Sequence, residues 1–155
     1  MADSIRESIF QDIKTAIQGI SKSAGYKNNI DSDNVHIIHG AADDSAYGYP
    51  LVFIYPGPEY LNDEKCEKGK DYYELGVQVE AFLRSNKETM NTSINTMLAD
   101  LKKALGADHT RGGLAIDTRF VANDAYLVDL TGETCGIIML VQVDYEHNYA
   151  DPYNQ

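Results

Sequence analysis

The apolar residues of this chain recur with the helical period of about 3.6 in two segments and with a period of two in most others. This division constrains the fold more than any other feature. The first helical segment follows Ser4 and Glu7, whose spacing predicts a capping box at its start. Its apolar stripe comprises Ile5, Ile9, Ile13, Ile17 and Ile20. Gly25 is expected to end this helix, because glycine readily adopts the left-handed conformation.

The second helical segment repeats this pattern. Ser85 and Glu88 have the spacing of another capping box, and Lys102 and Lys103 lie in the last turn, where cations suit the helix dipole. The apolar face comprises Met90, Ile94, Met97, Leu98, Leu101 and Leu105. Gly106 is expected to end the helix.

The remaining apolar segments have the period of strands. Residues 35–39 and 51–55 are short apolar runs, whereas residues 73–83 and 135–145 alternate between apolar and polar side chains. Residues 116–121 and 126–130 are further strand candidates, and residues 131–133 predict a tight turn before the last strand. Glu74, Gln78, Glu80 and Gln142 point to the opposite face from the apolar residues, so one face of the sheet is expected to be polar.

Two helices cannot cover both faces of a sheet of this size, so both are expected on one face. The predicted fold is α+β, with a mainly antiparallel, possibly mixed, sheet of about five to six strands. Hydrophobic residues make up 43% of the 155 residues, which suffices for one core. We expect a single domain over residues 1–147 and a C-terminal tail over residues 148–155.

The charge balance excludes several classes of protein. The chain has 24 acidic and 13 basic side chains, for a net charge of -11. Proteins that wrap DNA or coat anionic membranes depend on clustered Lys and Arg, so neither activity is expected. There is no secretory signal pattern at the N-terminus and no apolar window of about 20 residues. A soluble protein kept in a cytoplasm is the expectation, with Cys66 exposed, Cys135 buried and both thiols free.

Motifs of catalysis and metal binding are not found in the sequence. His36 and His39 would lie on opposite faces of a strand, so they are not expected to share a metal, and Asp43-Asp44 is interpreted as a solvated turn. Nucleophile-elbow, zinc-protease and Walker motifs are absent, which favours a protein that is not an enzyme and has no cofactor. The alternative is a small-ligand binding or accessory enzymatic domain that uses the 106–114 loop with Asp108, His109 and Arg111.

Tyrosine is the unusual residue. The chain has 11 Tyr against four Phe and no Trp, and many of the Tyr lie in predicted loops or at strand ends. Tyr is enriched where proteins contact proteins, yet Tyr at sheet margins can also simply cover a core. Both interpretations remain open at this point.

The order of parts resembles that of the tail terminator, or tail completion, proteins of long-tailed bacteriophages. An amphipathic helix ends at Gly25-Tyr26, and a Pro-Leu-Val-Phe-Ile-Tyr strand at residues 50–55 leads into a long polar hairpin. An alternating strand at residues 74–80 and a helix at residues 94–105 follow, and the chain closes with strands that end in Val-Asp-Tyr-Glu.

The resemblance implies a structural virion protein of the phage tail, assembled in the host cytoplasm. It implies a hexameric ring that caps the finished tail tube, stops polymerisation of the tube protein and offers a joining surface to the head and neck connector proteins. DNA would then only pass through the lumen as the genome. Another small neck or tail-end protein remains an alternative, as do contractile and non-contractile tails.

Residues 57–70 are longer than a hairpin turn requires, and we interpret them as an arm ordered by a neighbouring subunit or by the tube. Exposed Lys on the arm would contact acidic neighbours. The residues expected at a subunit or tail interface are Tyr55, Tyr60, Lys65, Lys68, Lys70, Arg111 and Tyr149.

Overall fold

A computed structural model describes residues 3–41, 47–129 and 131–155. The elements follow in the order α1 (Ile5–Gln18), β1 (Val35–Ile37), β2 (Leu51–Leu61), β3 (Lys70–Arg84), α2 (Met90–Gly106), β4 (Asp117–Leu127) and β5 (Thr134–Asn148). The strands form one open sheet in the order β1-β2-β3-β5-β4. β1 is parallel to β2, and all other neighbours are antiparallel. The predicted α+β class and the mixed, mainly antiparallel sheet are confirmed.

Both helices pack on the same face of the sheet. This was predicted, because two helices are too few to cover both faces. The core lies between the two helices and the three central strands, β2, β3 and β5. Every second residue of each strand points toward the helices. The core residues include Ile9, Ile13, Ile17, Leu101, Leu105, Val52, Ile54, Val77, Val79, Ile137, Met139 and Val141, all nearly or fully buried. We call this side of the sheet the covered face.

The first helix begins as predicted and ends earlier. The Ser4 hydroxyl accepts a hydrogen bond from the Glu7 N–H, while the Glu7 carboxylate accepts one from Gln11. The helix ends at Gln18 with Gly19 as its C-cap. The predicted end at Gly25 is therefore wrong: the left-handed Gly25 caps a short 3-10 helix, Lys22–Ala24.

The predicted capping box of the second helix is also wrong, because α2 begins at Met90 rather than after Ser85. The Ser85 hydroxyl instead shares hydrogen bonds with Thr89 and Ser93. The Asn86 side chain accepts the Thr89 N–H and so fixes the chain ahead of the helix. Short polar side chains compete for backbone groups in this way, and they move the helix start by several residues.

Two predicted strands, residues 116–121 and 126–130, are one strand, β4. A β-bulge at Val121 shifts the register with β5 and interrupts the alternation that a continuous strand would show in sequence. Leu130, the last residue of that prediction, and the predicted Asp43-Asp44 turn lie outside the described residues.

The predicted arm is shorter than expected, because residues 57–61 belong to β2, and residues 59–61 pair with β3 beyond an irregularity at residues 57–58. The connection that remains contains a 3-10 helix, Asp63–Lys65. The C-terminal residues are hydrogen-bonded to the domain, since the Ile5 N–H donates to Pro152 and Asn148 forms a bridge with Asp151. None of the described helices is long and apolar enough to cross a membrane.

Candidate interaction surface

The side of the sheet that faces away from both helices is the candidate surface, and we call it the uncovered face. Its position follows from register: residues next to each core residue in a strand point the other way. Its main side chains, from one end of the strands to the other, belong to Phe53, Phe82, Tyr55, Glu80, Tyr126, Gln78, Leu140, Tyr60, Gln142, Glu74, Arg119, Tyr72 and Asp144.

One end of the uncovered face is an apolar cluster. Leu51, Phe53 and Phe82 are buried there, and the rings of Phe53 and Phe82 meet edge to face at 5.9 Å between centroids. The Arg84 guanidinium lies 4.6 Å from the centre of the Tyr49 ring and covers the margin of this cluster. This end is closed by the chain itself.

Tyr126 crosses the middle of the uncovered face above a glycine. It lies opposite Gly136, and a Cβ built on that glycine would be 2.3 Å from the Tyr126 ring. The Tyr126 hydroxyl donates a hydrogen bond to the Glu80 carboxylate. Burial and the negative charge of Glu80 raise the pKa of the Tyr126 hydroxyl, and the same two causes raise the pKa of Tyr55 to about 12. These tyrosines therefore remain neutral hydrogen-bond donors at physiological pH.

An apolar hollow of about 330 Å³ lies further along the same face. It exists because Gly57 and Gly76 bring β2 and β3 close together: a Cβ on Gly57 would lie 2.6 Å from the Gly76 carbonyl oxygen. The walls of the hollow include Pro58, Tyr60, Gln78, Val121, Leu140 and Gln142. Tyr60, Val121 and Leu140 are exposed, so this part of the sheet presents apolar side chains to its surroundings.

A charged network around Asp144 occupies the far end of the uncovered face. The buried Asp144 carboxylate accepts hydrogen bonds from the Tyr72 hydroxyl at 2.8 Å, from Arg119 at 2.6 Å and from Gln142 at 2.8 Å. Lys65 adds an ammonium at 3.7 Å and also lies above the Tyr72 ring. Burial alone would raise the pKa of Asp144, but the three hydrogen bonds and the Arg119 charge outweigh it and lower the pKa.

Five of the seven residues expected at an interface divide into two groups. Tyr60 is exposed, as are Lys68 and Tyr149. Lys65 and Lys70, by contrast, have partners within the chain: Lys65 pairs with Glu74 and Asp144, and Lys70 with Glu146. These two lysines fasten the hairpin to the sheet.

Arg111 differs most from its expected position. Its side chain is 1% exposed and donates hydrogen bonds to the Leu105 carbonyl at the end of α2 and to Asp12 of α1. The cation therefore joins the two helices from within, where it cannot contact another molecule. Sequence spacing could not indicate this, because Asp12 lies 99 residues earlier.

The rest of the 106–114 loop is similarly occupied by internal contacts. The Asp108 carboxylate accepts hydrogen bonds from the Thr110 hydroxyl, the Thr110 N–H and the Gly112 N–H. These bonds, the Thr110 hydroxyl first, lower the pKa of Asp108 to about 2. The loop is a hydrogen-bonded turn, and its contacts give the ligand-binding alternative no support.

The thiols are free, with Cys135 buried as expected. Cys66 is half-buried rather than exposed: its sulfur accepts the Tyr72 N–H and donates to the Asn62 carbonyl, which orders the hairpin end. Three groups on the uncovered face were missed in the sequence, namely Tyr72, Arg119 and Asp144. Alternation along β5 does place Asp144 on the face away from the core residues, and this is the one sequence feature that could have identified it as a surface residue.

Comparison with known proteins identifies no family: no family model matches the chain, and no curated protein matches it in sequence. Among solved structures, one similar chain comes from the virion of a native gene transfer agent particle. The TM-score is 0.43 at 10% sequence identity, over 92% of this chain and 95% of that chain.

Proposed function

We propose that this protein is a structural assembly protein of a phage-like virion. Its role resembles that of a tail terminator, which forms a ring on the end of the tail tube, stops tube polymerisation and joins the tail to the neck. The observation that carries the proposal is the uncovered face, where exposed Tyr60, Val121 and Leu140 surround the apolar hollow. Exposed apolar groups gathered around a concave surface are typical of sites where proteins meet.

The partner proposed for the uncovered face is the neighbouring copy in the ring. The order of helices and strands that carries the resemblance is also the order of the elements in the fold, although the hairpin between β2 and β3 is shorter than expected. A strongly acidic subunit repels its own copies at long range, so a stable ring needs apolar contacts that offset the charge. The hollow and its exposed aromatic neighbour supply such contacts. Lys68 and Tyr149, at the hairpin end of the domain, are left to contact the tube.

Tube assembly is the test of this function. Purified protein is added to the tail tube protein of the same virus while tubes polymerise, and tube lengths are measured by electron microscopy. We expect the tubes to stop growing at the end that binds the protein. Tubes that reach the same lengths with and without it would refute the terminator role. A Glu88→Lys variant, changed on the exposed turn ahead of α2, is the matched control that should act like the parent.

A further inference from the structure

The outer edge of β4 pairs with no other strand in the described part of the chain. Near its start, Thr118 is buried and its hydroxyl donates to the His109 carbonyl. β4 is the last strand of the sheet and extends over eleven residues. Val121 and Leu127 are 61% and 64% exposed, and Phe120 beside them is also exposed. Edge strands in single-chain proteins are usually short, bulged or blocked by Pro or Lys; β4 contains neither Pro nor Lys, and its pairing with β5 is interrupted at the Val121 bulge.

The opposite edge of the sheet is protected in the usual ways. β1 has three residues, and it pairs only with residues 52–54 of β2. Beyond it, the free part of β2 contains Pro56 and Pro58, which lack the N–H that a pairing strand would need. The edge formed by β1 and β2 is therefore a poor partner for β4 of another copy. The remaining edge with which β4 can pair is β4 of a second copy.

The backbone of β4 is arranged for pairing on its outer side. Val128 donates its N–H inward to Thr134 of β5, and alternation then leaves Asn123, Ala125 and Leu127 with outward backbone groups. The N–H groups of Thr118 and Ala125 are held by the carboxylates of Asp117 and Asp124, as expected for groups that do not bond to β5. A pairing strand would take the place of these carboxylates.

From these observations we infer that β4 pairs antiparallel with β4 of a second copy around a two-fold axis between Val121 and Ala122. This register sets Arg119 opposite Asp124 of the other copy, twice, and both side chains lie on the uncovered face. It also sets Thr118 opposite Ala125 and Phe120 opposite Asn123 on the covered face. A shift by two residues in either direction removes both charge pairs, and one of the two shifts places Asp117 opposite Asp124.

Among registers that overlap most of β4, the charges therefore complement one another with the axis between Val121 and Ala122. Arg119 donates one hydrogen bond to Asp144 and remains half-exposed, so its guanidinium has donors left for a second carboxylate. Opposite charges directly across two strands stabilise their pairing, and like charges destabilise it. A two-fold contact closes on two copies and does not form a ring by itself, so this pairing does not depend on the proposed function.

Sedimentation of the full chain tests the pairing. In the Leu140→Lys background, where the proposed ring contact is lost, the chain is expected to change from monomer to dimer over about a hundredfold rise in concentration, as small interfaces associate weakly. Asp124→Arg sets arginines opposite each other and should weaken the dimer by about tenfold or more. Glu88→Arg makes the same change in net charge away from β4 and should leave the dimer intact. A Leu140→Lys chain that stays monomeric, or a dimer that adding Asp124→Arg leaves unchanged, overturns the proposal.

Cross-linking tests the register independently of affinity. Phe120→Cys and Asn123→Cys chains are mixed and oxidised, because the proposed axis sets residues 120 and 123 of the two copies opposite each other. A disulfide-linked heterodimer is expected in this mixture. The control mixes Phe120→Cys with Tyr149→Cys, which lies outside β4, and should give far less product. Equal yields in the two mixtures would refute the register.

Discussion

The covered and uncovered faces of the sheet are built by the same strands, because neighbouring residues of a strand point to opposite faces. The two faces differ in the burial of these residues. In β5, Ile137 points into the core and is fully buried, while Ile138 beside it is half-buried on the other face. The covered face is mainly apolar. The uncovered face changes along its length from an apolar cluster to a hollow and then to a charged network. We therefore propose that one face stabilises the fold and that the other contacts a neighbouring copy.

The largest effect is expected from truncation on the covered face. Ile137→Ala leaves a cavity in the core and should lower the free energy of unfolding by about 3–4 kcal/mol. Ile138→Ala, the matched change one residue later, should lower it by about 1 kcal/mol, since this side chain is already half-exposed. Urea unfolding of both variants measures the contrast. Equal losses would mean that the uncovered face is as much a core as the covered one.

A smaller loss is expected from Asp144→Asn on the uncovered face. The variant keeps the shape but loses the charge that holds Arg119, and we expect a loss of about 1–2 kcal/mol at pH 7, because Arg119 can turn to water. The lowered pKa of Asp144 in the folded protein makes this contribution dependent on pH.

The sign of that dependence follows from linkage. The contribution of Asp144 is complete above its unfolded pKa of about 3.9 and is lost as the pH falls through the lower folded pKa. Urea unfolding at pH 7 and at about pH 3 should therefore show the difference between parent and variant shrinking in acid. If parent and variant differ in free energy of unfolding by the same amount at both pH values, the charge of Asp144 is not the cause of the difference.

The third expected effect is at Gly136. An Ala there would place its Cβ 2.3 Å from the Tyr126 ring, so the ring must move and its bond to Glu80 is disturbed. We expect a loss of about 1 kcal/mol, because the ring is partly exposed and can shift. In a Tyr126→Ala background the same substitution should have almost no effect. If it destabilises both backgrounds equally, contact with Tyr126 is not the cause.

The smallest effect on folding, with a large effect on assembly, is expected at the apolar hollow. Leu140→Lys places an ammonium on an exposed wall and should change the free energy of unfolding by about 0.5 kcal/mol or less. The same variant should lose ring assembly, since the charge cannot be buried against a neighbouring copy without a partner. Thermal unfolding and native mass measurement check the two statements separately. A variant that assembles like the parent would show that the hollow is not part of the interface between copies.

Most of the fold could be predicted from the sequence, because period and capping are local properties. The Ile stripe of α1 and the alternation of β3 and β5 identified their elements and faces correctly. The start of α2 could not be predicted, since Asn86 competes locally with the capping pattern of Ser85 and Glu88. The bulge at Val121 likewise divided one strand into two apparent ones.

The candidate surface was predicted only in part. Alternation placed Glu74, Gln78 and Gln142 on the uncovered face, and Tyr60 is exposed there. The hollow depends on the approach of Gly57 to Gly76 across two strands, and the burial of Arg111 depends on Asp12. Both require contacts between residues that are distant in sequence, and a single sequence does not show such contacts.

Electron microscopy of the purified parent protein, with native mass measurement of the same sample, tests the central claim most directly. We expect closed rings of identical copies. We also expect Leu140→Lys to abolish the rings while the subunit stays folded. Dimers without rings would support the pairing of β4 and contradict the assembly role of the uncovered face. Monomers at every concentration, in a protein that also fails to bind tail tubes, would contradict the account as a whole.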